Sequence, residues 1–600
     1  MRTEHQDPAK GPSGQGKEEG SALVIALLAV VVMTVLGLVL MDVLRGGMVQ
    51  AVTTEGGIQA EAIAQKGLDD TLALLRGAVA QGEKGTDYRG RINLVDAKLA
   101  EAVVFLHDKP DVEAKKGTYH IELLSDETKM NPELSPVKPV TSPDFPYVRK
   151  FVIKSTGVIE SKPEKRVTKQ MTVYVSTINP VFRYPVSSGK DLTMNGTPYV
   201  TGDVLVRGDS FLVGDEAFFT GVRGSKYGLP TGLPALRGFL RVDGDGVAGG
   251  IQKYYSKLSD GTDASSDLLD PAYFTDQYFP LEDASLDNDV AVDAAAYVKD
   301  KAETKLNSRL STGFGSTVTG LLDYTLYNSA NASSVLYDGE WVTVQGNVTN
   351  GNGSADADLF VNSGVLMMDD ENGSLTVKRG SIYIKSPDSN LVAADLRGKL
   401  NVDEDRFVAV DGNVTLNQGF DFPRGSMYIK GDLKIIGNIR LQGTVYVDGN
   451  VELKEMKSIN KKLNAADEPI PLIIVASGEI VLGNNTNENN EEVRAFLYSK
   501  KNMTLYGVIS KLNLLGGIHG ESGVELNAVR GELSSAGLTP TVYAGPAWSG
   551  QTVQPGQQSM AADTSRLQIF YDNNLYDKPP YGIPITSQFN VFVKDIQYLK

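Results

Sequence analysis

The chain has 600 residues, of which 41% are hydrophobic and 22% charged, so it carries enough apolar material for a folded core. Its formal charge of −16 argues against nucleic acid as a partner, because phosphate contacts need clustered Lys and Arg. The absence of cysteine excludes disulfides, thiolate metal sites and cysteine nucleophiles. The four histidines are scattered, at positions 5, 107, 120 and 519. We therefore predict no catalytic residue, no metal ligand and no cofactor.

An apolar segment follows a polar leader over residues 1–20. Ala22–Met41 holds twenty uncharged, mostly apolar residues. As a helix this segment would be about 30 Å long, which matches a bilayer core. We predict a transmembrane helix over 21–44. A cleaved secretory signal is disfavoured, because the segment is longer than a signal core and no A-x-A site follows it.

Charges beside this segment predict its orientation. Arg2, Lys10 and Lys17 precede it, and only Arg45 follows closely. The positive-inside rule places the short N-terminus in the cytoplasm. The bulk of the chain is then extracellular, as a single-pass protein at the cell surface or in a pilus.

The start of the apolar segment resembles a known processing signal. Lys17-Glu-Glu-Gly20 runs directly into Ser21-Ala-Leu-Val24. This junction is similar to the class III signal of type IV pilins and pseudopilins, and most of all to the PilX-type minor pilin N-terminus. The resemblance implies a prepilin peptidase that cuts between Gly20 and Ser21, and contacts with other pilin-like subunits through the helix. Ile25 stands where major pilins carry Glu, which favours a minor or anchored component. The alternative is a signal anchor that is never processed.

Residues 45–179 predict a helix extension and a small α+β head. The stretch 45–80 favours helix, with apolar residues at i, i+4 and i+7. Alternation then predicts strands, two of them forming a hairpin. The hairpin, with its Ser155-Thr-Gly157 run, resembles the strand pair of pilin-like heads. The predicted elements are an apolar helix face at Leu68, Leu72 and Leu75, a further helix over 91–107, and strands Tyr119–Leu124, Tyr147–Ile159 and Val167–Ser176.

Glycine recurs at a regular spacing between 419 and 454. Six glycines recur every six residues, and in the five hexads from Gly425 the third and fifth positions are apolar. Positions two apart point to one face of a strand, while glycine and Asx residues favour the turn. The corner glycines are Gly419, Gly425, Gly431, Gly437, Gly443 and Gly449, and the predicted core is Leu433, Ile435, Ile439, Leu441, Val445, Val447, Val451 and Leu453.

This hexad pattern predicts a parallel β-helix, or β-solenoid, with about three hexads per coil. Shorter echoes of the pattern place it over 180–560, for example at Gly196, Gly202, Gly208 and Gly214. The repeat resembles bactofilin-like, polymer-forming β-helices. The runs Leu497-Tyr-Ser, Leu505-Tyr-Gly and Gly516-Gly-Ile-His-Gly resemble the late coils of pilus-associated β-helical proteins of Gram-positive bacteria. The alternative is a series of ordinary hairpins.

Two segments interrupt or follow this pattern. Residues at about 222–340 break the period and predict an insertion from one solenoid face, with a helix over 290–307. The tail 561–600 predicts two strands that cap the last coil, since an open end would expose strand edges.

Parallel β-helices also carry lyases and glycosidases, which use paired carboxylates or a basic group. Acidic clusters occur at 243–245, 287–289, 369–371 and 403–405, where Asp is also a common turn residue. We predict turn roles for them, with calcium binding as the alternative. We predict that His519 is a packed or exposed turn histidine and not a catalytic base. The fourth hexad positions, including Tyr428, Tyr446 and Lys434, are candidates for a glycan- or protein-binding face, or a merely solvated one.

The sequence thus predicts a mainly β, membrane-anchored structural protein of a type IV pilus-like or surface assembly, and not an enzyme. It would act as a minor pilin, scaffold or adhesin. Its expected partners are the membrane, pilin-like subunits, a prepilin peptidase and a surface glycan or protein. The second hypothesis is a membrane-anchored extracellular β-helical lyase or glycosidase.

Overall fold

The fold is taken from a computed structural model of the chain. It describes residues 18–84, 88–107, 112–114, 117–126, 148–159, 164–208, 211–214, 216–220, 226–230, 234–238, 240–242, 254–257, 281–282, 317–318, 335–338, 341–344, 346–351, 357–403, 406–464, 467–483, 492–508, 511–529, 564–580 and 582–599. The helices are α1 (Glu18–Gly82) and α2 (Tyr88–His107), with short 3-10 turns at Pro180–Arg183 and Asn573–Leu575.

The remaining elements are strands, numbered in chain order. They are β1 (Val112–Ala114), β2 (Gly117–Asp126), β3 (Val148–Ile159), β4 (Lys165–Ile178), β5 (Val186–Ser188), β6 (Leu192–Gly196), β7 (Tyr199–Thr201), β8 (Val204–Val206), β9 (Phe211–Gly214), β10 (Glu216–Thr220), β11 (Lys226–Pro230), β12 (Ala235–Arg237), β13 (Leu240–Val242), β14 (Tyr254–Lys257), β15 (Leu281–Glu282), β16 (Thr317–Val318), β17 (Val335–Asp338), β18 (Trp341–Val344), β19 (Asn347–Asn350), β20 (Leu359–Asn362), β21 (Val365–Met368), β22 (Ser374–Val377), β23 (Ile382–Lys385), β24 (Val392–Leu396), β25 (Lys399–Val402), β26 (Phe407–Asp411), β27 (Asn413–Leu416), β28 (Asp421–Phe422), β29 (Ser426–Lys430), β30 (Leu433–Leu441), β31 (Gly443–Val447), β32 (Val451–Ile459), β33 (Leu472–Ala476), β34 (Ile480–Gly483), β35 (Glu492–Ser499), β36 (Asn502–Gly507), β37 (Leu512–Gly520), β38 (Gly523–Ala528), β39 (Leu567–Phe570) and β40 (Ile585–Leu599).

The chain divides into two compact units. The first contains the described parts of Met1–Thr128, Lys150–Val173 and Val591–Lys600, and the second those of Lys129–Arg149 and Tyr174–Asn590. The sequence predicts one continuous head over 45–179. The structure differs, because the last residues of the chain belong to the first unit.

The first unit packs helices on a sheet of order β1-β2-β3-β4-β40. The second half of α1 turns a stripe of small and apolar residues inward, including Ala60, Ala64 and Leu68, all fully buried. β3 alternates between buried and half-buried side chains, as expected for a strand with one face on the core. The predicted helix over 91–107 and the predicted strands Tyr119–Leu124 and Val167–Ser176 lie within α2, β2 and β4, and the strand predicted over Tyr147–Ile159 coincides with β3 from Val148 onward.

Small residues let α1 approach the sheet closely. A Cβ atom at Gly157 in β3 would lie 2.2 Å from the Ala60 carbonyl oxygen, and one at Gly67 in α1 would lie 2.3 Å from Ser155 Oγ. Both distances are far below van der Waals contact, so any larger residue would push the helix and the sheet apart.

The second unit contains three columns of parallel strands. The pairing advances in steps: β20 pairs with β17 and β23, β21 with β18 and β24, and β22 with β19 and β25. We call three successive strands, one from each column, a tier. The first column runs β16, β17, β20, β23, β26, β29, β31, β33, β35, β37, β5, β8, β13, β15.

The hexad spacing has a direct counterpart in this pairing. Tyr428 pairs with Tyr446 and Leu433 with Val451, each eighteen positions later, so three hexads separate paired residues. Apolar side chains from successive tiers form one contiguous core. It includes all eight predicted core residues, none more than 5% exposed: Leu433, Ile435, Ile439, Leu441, Val445, Val447, Val451 and Leu453. The prediction of a mainly β protein with one long N-terminal apolar helix is confirmed.

The order of tiers along the columns differs from the order in the chain. β37 pairs with β5, so Ile518 lies beside Val186, and β38 pairs with β6. The chain therefore enters the second unit in the middle of its columns. It runs outward through β8 and β13, resumes at the opposite end with β16 and β17, and returns through β37.

The prediction that the tail 561–600 caps the last coil is wrong. β39 pairs with β37 on one side and β7 on the other, so it lies in the interior of the third column. β40 joins the five-stranded sheet instead. The reason is that the early and late tiers meet at this point, and β39 supplies the third strand of the tier that joins them. Most of the predicted 222–340 insertion, including the helix over 290–307, lies outside the described residues.

Candidate functional site

The first half of α1 presents an apolar surface with no protein cover. Every described leucine, valine, isoleucine and methionine side chain from Leu23 to Ile58 is 48–74% exposed. The most apolar 18-residue window has a mean hydropathy of 3.2 and is entirely unburied. Burial of apolar area gains roughly 25 cal/mol per Å², so such a surface favours a lipid environment over water. The prediction of a helix apolar and long enough to cross a membrane is confirmed.

The predicted processing junction lies at the start of this helix. α1 begins at Glu18, so the backbone of Gly20 and Ser21 is helical. The leader charges Arg2, Lys10 and Lys17 lie outside the described residues. The orientation across a membrane stays a prediction from the sequence.

The packed half of α1 is tied to the end of the chain. Lys169 in β4, with its side chain 8% exposed, lies 3.2 Å from Glu61 and donates to Gln65 at 3.1 Å. Tyr598 in β40 donates to the Glu61 carboxylate, and Lys169 Nζ lies 4.7 Å from the centre of the Tyr598 ring. The hydrogen bonds from Tyr598 and Lys169 lower the pKa of Glu61. Sequence reasoning missed this cluster, because Lys169 and Tyr598 lie more than 100 positions from the α1 residues that they contact.

The predicted corner glycines meet two separate physical demands. The first is a positive φ, which residues with a Cβ atom rarely adopt. It occurs at four of these glycines, with φ values of 84°, 133°, 75° and 148° at Gly419, Gly425, Gly437 and Gly443. Close approach between tiers is the second demand. Cβ atoms at Gly431, Gly449 and Gly478 would lie 2.2–2.5 Å from the carbonyl oxygen of the glycine one tier before, at Gly412, Gly431 and Gly449.

A ladder of Asx side chains follows this glycine column. The amide N–H of Asp432 donates to Asn413 Oδ1 at 2.8 Å, and that of Asn450 donates to Asp432 Oδ1 at 2.7 Å. The N–H of Glu479 donates to Asn450 Oδ1 at 3.0 Å. Each side chain satisfies a backbone donor of the next tier, which a hairpin series would not require. The Asn or Asp after each glycine was the signal in the sequence.

The outer face of the first column is covered where Tyr428 and Tyr446 lie. Tyr428 and Tyr446 are each 3% exposed. The Tyr446 hydroxyl donates to the Gly582 carbonyl at 2.5 Å, because the segment after β39 runs across this face. Lys434, on the second column, is exposed as predicted for a solvated position. The expectation that Tyr428 and Tyr446 are exposed, on which both the binding-face and the solvated-face alternatives rested, is therefore wrong.

A buried ion pair stabilises the segment after β39, which covers this face. Arg494 and Asp572 are 6% and 3% exposed, with 3.7 Å between the guanidinium and the carboxylate. The Tyr571 hydroxyl donates to the Phe182 carbonyl at 3.0 Å, and its ring packs edge-on against Phe496. Burial raises the pKa of Asp572. These contacts hold the entering and leaving segments of the second unit on one face.

The structure describes the acidic cluster at 369–371 and, of the cluster at 403–405, only Asp403; a carboxylate in each accepts a backbone hydrogen bond. Asp370 Oδ1 accepts from the N–H of Asn372 at 2.9 Å, and Asp403 Oδ2 accepts from the N–H of Arg379 at 2.7 Å. Over the described part of the chain, His, Asp and Glu side chains form no group of three or more suited to a metal ion. The clusters at 243–245 and 287–289 lie outside the described residues.

His519 is a packed histidine within the first column. Its side chain is 4% exposed, Nδ1 lies 2.8 Å from Ser187 Oγ, and the ring stacks on Tyr498 at 4.9 Å. Burial, aided by the charge of Arg207, lowers the pKa of His519 to about 3. The ring is therefore neutral at pH 7, and it joins an early tier, through Ser187, to a late one.

We expect His519 to make stability fall with acid. Because the pKa is lower in the folded state than the unfolded value near 6.5, the unfolded chain binds the extra proton between pH 6.5 and 3. The contribution of neutral, buried His519 to the free energy of unfolding is fully present above pH 6.5. Protonation of the unfolded chain lowers that free energy by about 2 kcal/mol at pH 5. His519→Gln should flatten this part of the urea-midpoint profile relative to the parent, with His120→Gln as the control. An unchanged slope between pH 7 and 5 would contradict the assignment.

Comparisons with known proteins found no matching family model, no matching curated protein and no matching solved structure.

Proposed function

We propose that the chain is a membrane-anchored extracellular structural protein of a type IV pilus-like or surface assembly. The tiers of the second unit are, in this proposal, the coils of a β-solenoid, and the first unit is a pilin-like head. The protein then works as a minor pilin, scaffold or adhesin. One observation carries the proposal: α1 is a single 65-residue helix whose first half is an exposed apolar surface and whose second half packs on a sheet.

Physical reasoning supports the two parts of this proposal separately. A bare apolar helix of this length is stabilised by lipid or by other apolar helices, which fits an anchor that can also enter a helical assembly. The stacked tiers place backbone hydrogen bonds and a continuous apolar core along the columns, with ladders such as Asn413–Asp432–Asn450 between them. Such an arrangement is suited to rigid presentation of a surface.

The test is the mass of the N-terminal peptide from cells that contain a prepilin peptidase. We expect the mature chain to begin at Ser21. Gly20→Asp should retain the leader, while Gly16→Asp, a matched glycine within the leader, should be processed normally. An intact leader on the parent chain would overturn the pilus-type part of the proposal.

The same cells test the orientation. Because the chain has no cysteine, Lys434→Cys introduces a unique thiol at an exposed position. A membrane-impermeant maleimide should label it in intact cells. Labelling only after lysis would overturn the extracellular placement.

A further inference from the structure

One stretch of α1 has a composition at odds with its helical conformation. Residues 46–57 read GGMVQAVTTEGG, in which eight of twelve residues are Gly, Val or Thr. Glycine is among the least favourable residues in a helix interior, and β-branched residues lose side-chain freedom there. The following stretch, 58–82, is rich in Ala, Leu and Gln, which favour helix.

Packing does not explain these glycines. Cβ atoms at Gly46, Gly47 and Gly57 would meet nothing within 4 Å, and one at Gly56 would meet only the flexible side chain of Lys165. Gly67, farther along the same helix, has a clear steric reason, as do the corner glycines of the second unit. The described side chains from Met48 to Glu55 are exposed.

A side-chain hydrogen bond adds to the weakness of this stretch. Thr54 Oγ1 donates to the Gln50 carbonyl at 2.9 Å, inside the same turn. Such back-bonding competes with the helical N–H for the carbonyl and often bends helices. The helix from 46 to 57 thus lacks both intrinsic preference and tertiary support, and most helical stability in proteins comes from packing.

We propose that residues 46–57 are a hinge between the apolar span and the packed half of α1. The segment opens and bends while the helix on either side stays intact. The hinge lets the packed part of the first unit reorient relative to the span. This consequence rests on the proposed membrane anchor, while the hinge itself does not.

The experiment uses the full chain in lipid nanodiscs. Met41→Cys with Ala62→Cys gives a unique pair of spin labels, because the chain has no other cysteine. A straight helix places the two positions about 32 Å apart. We expect a broad distance distribution that reaches below this value. Replacing Gly46, Gly47, Gly56 and Gly57 by alanine should narrow it to one peak near that distance, and Gly37→Ala, an uncontacted glycine of the same helix, should leave it broad.

Hydrogen exchange provides the second measurement. Amides of 46–57 should exchange faster than those of 60–80 in the parent, and each Gly→Ala change should slow them on the order of fivefold. A narrow parent distribution with exchange equal to that of the four-alanine variant would overturn the hinge. That result would leave the N-terminal mass unchanged, so failure of the hinge and failure of the proposed function are distinguishable.

Discussion

Gly449→Ala should destabilise the second unit by about 3 kcal/mol, although it adds a single methyl group. The new Cβ would lie 2.2 Å from the Gly431 carbonyl oxygen, where carbon and oxygen normally keep more than 3 Å apart. Two tiers must separate locally to remove this steric overlap. The separation stretches neighbouring backbone hydrogen bonds, such as the one that the Gly478 N–H donates to the Gly449 carbonyl at 2.8 Å. The urea midpoint of the β signal in circular dichroism measures the loss.

Gly346→Ala is the matched control for this change. Gly346 has a φ of 65°, and a Cβ atom there meets nothing within 4 Å. Alanine should therefore cost only the left-handed strain, about 1 kcal/mol. A loss at Gly449 no larger than that at Gly346 would mean that the close approach between tiers does not explain the glycine column.

Placing two arginines in the apolar span should release the protein from membranes. The thirteen Leu, Ile and Val side chains of Ala22–Met41 favour insertion by about 4–8 kcal/mol together, and each central arginine costs about 3 kcal/mol. Leu28→Arg with Val32→Arg should thus bring the free energy of membrane insertion close to zero or make it unfavourable. Carbonate extraction of membranes measures the retained fraction, which should fall severalfold.

The control carries the same two charges farther along the helix. Met48→Arg with Val52→Arg changes two exposed residues beyond the span, so retention should match the parent. If the variant in the span stayed membrane-bound like the control, the apolar segment would not be the anchor.

The strands of the second unit were predictable where the sequence repeats strictly. Within 425–454, the third and fifth hexad positions are all buried, because residues two apart on a strand share one face. The same local rule correctly placed Leu433 and Ile435 in the core. It also anticipated glycine and Asx residues at the corners, since turns select them through local sterics.

The winding order could not be predicted in the same way. The parallel edges of β37 offer the same backbone hydrogen bonds to any short apolar strand, so the hexad pattern does not say that β5 is its neighbour. What selects β5 involves distant residues, such as the contact between Ser187 and His519. The covered tyrosines Tyr428 and Tyr446 were misassigned for the same reason, because the segment that covers them follows β39.

The entry of the chain at the middle of the columns has a consequence for biosynthesis. Val186 meets its partner Ile518 only after more than 300 further residues have been made, which at about 5–20 residues per second takes roughly 15–65 s. During that interval the early strands expose edges that invite wrong pairing. High sequence separation also slows folding through the entropy of loop closure. The tier completed by β39 forms last, because its strand is made near the end of synthesis. The second unit therefore cannot fold strand by strand from its N-terminus, and its assembly waits for the C-terminal residues.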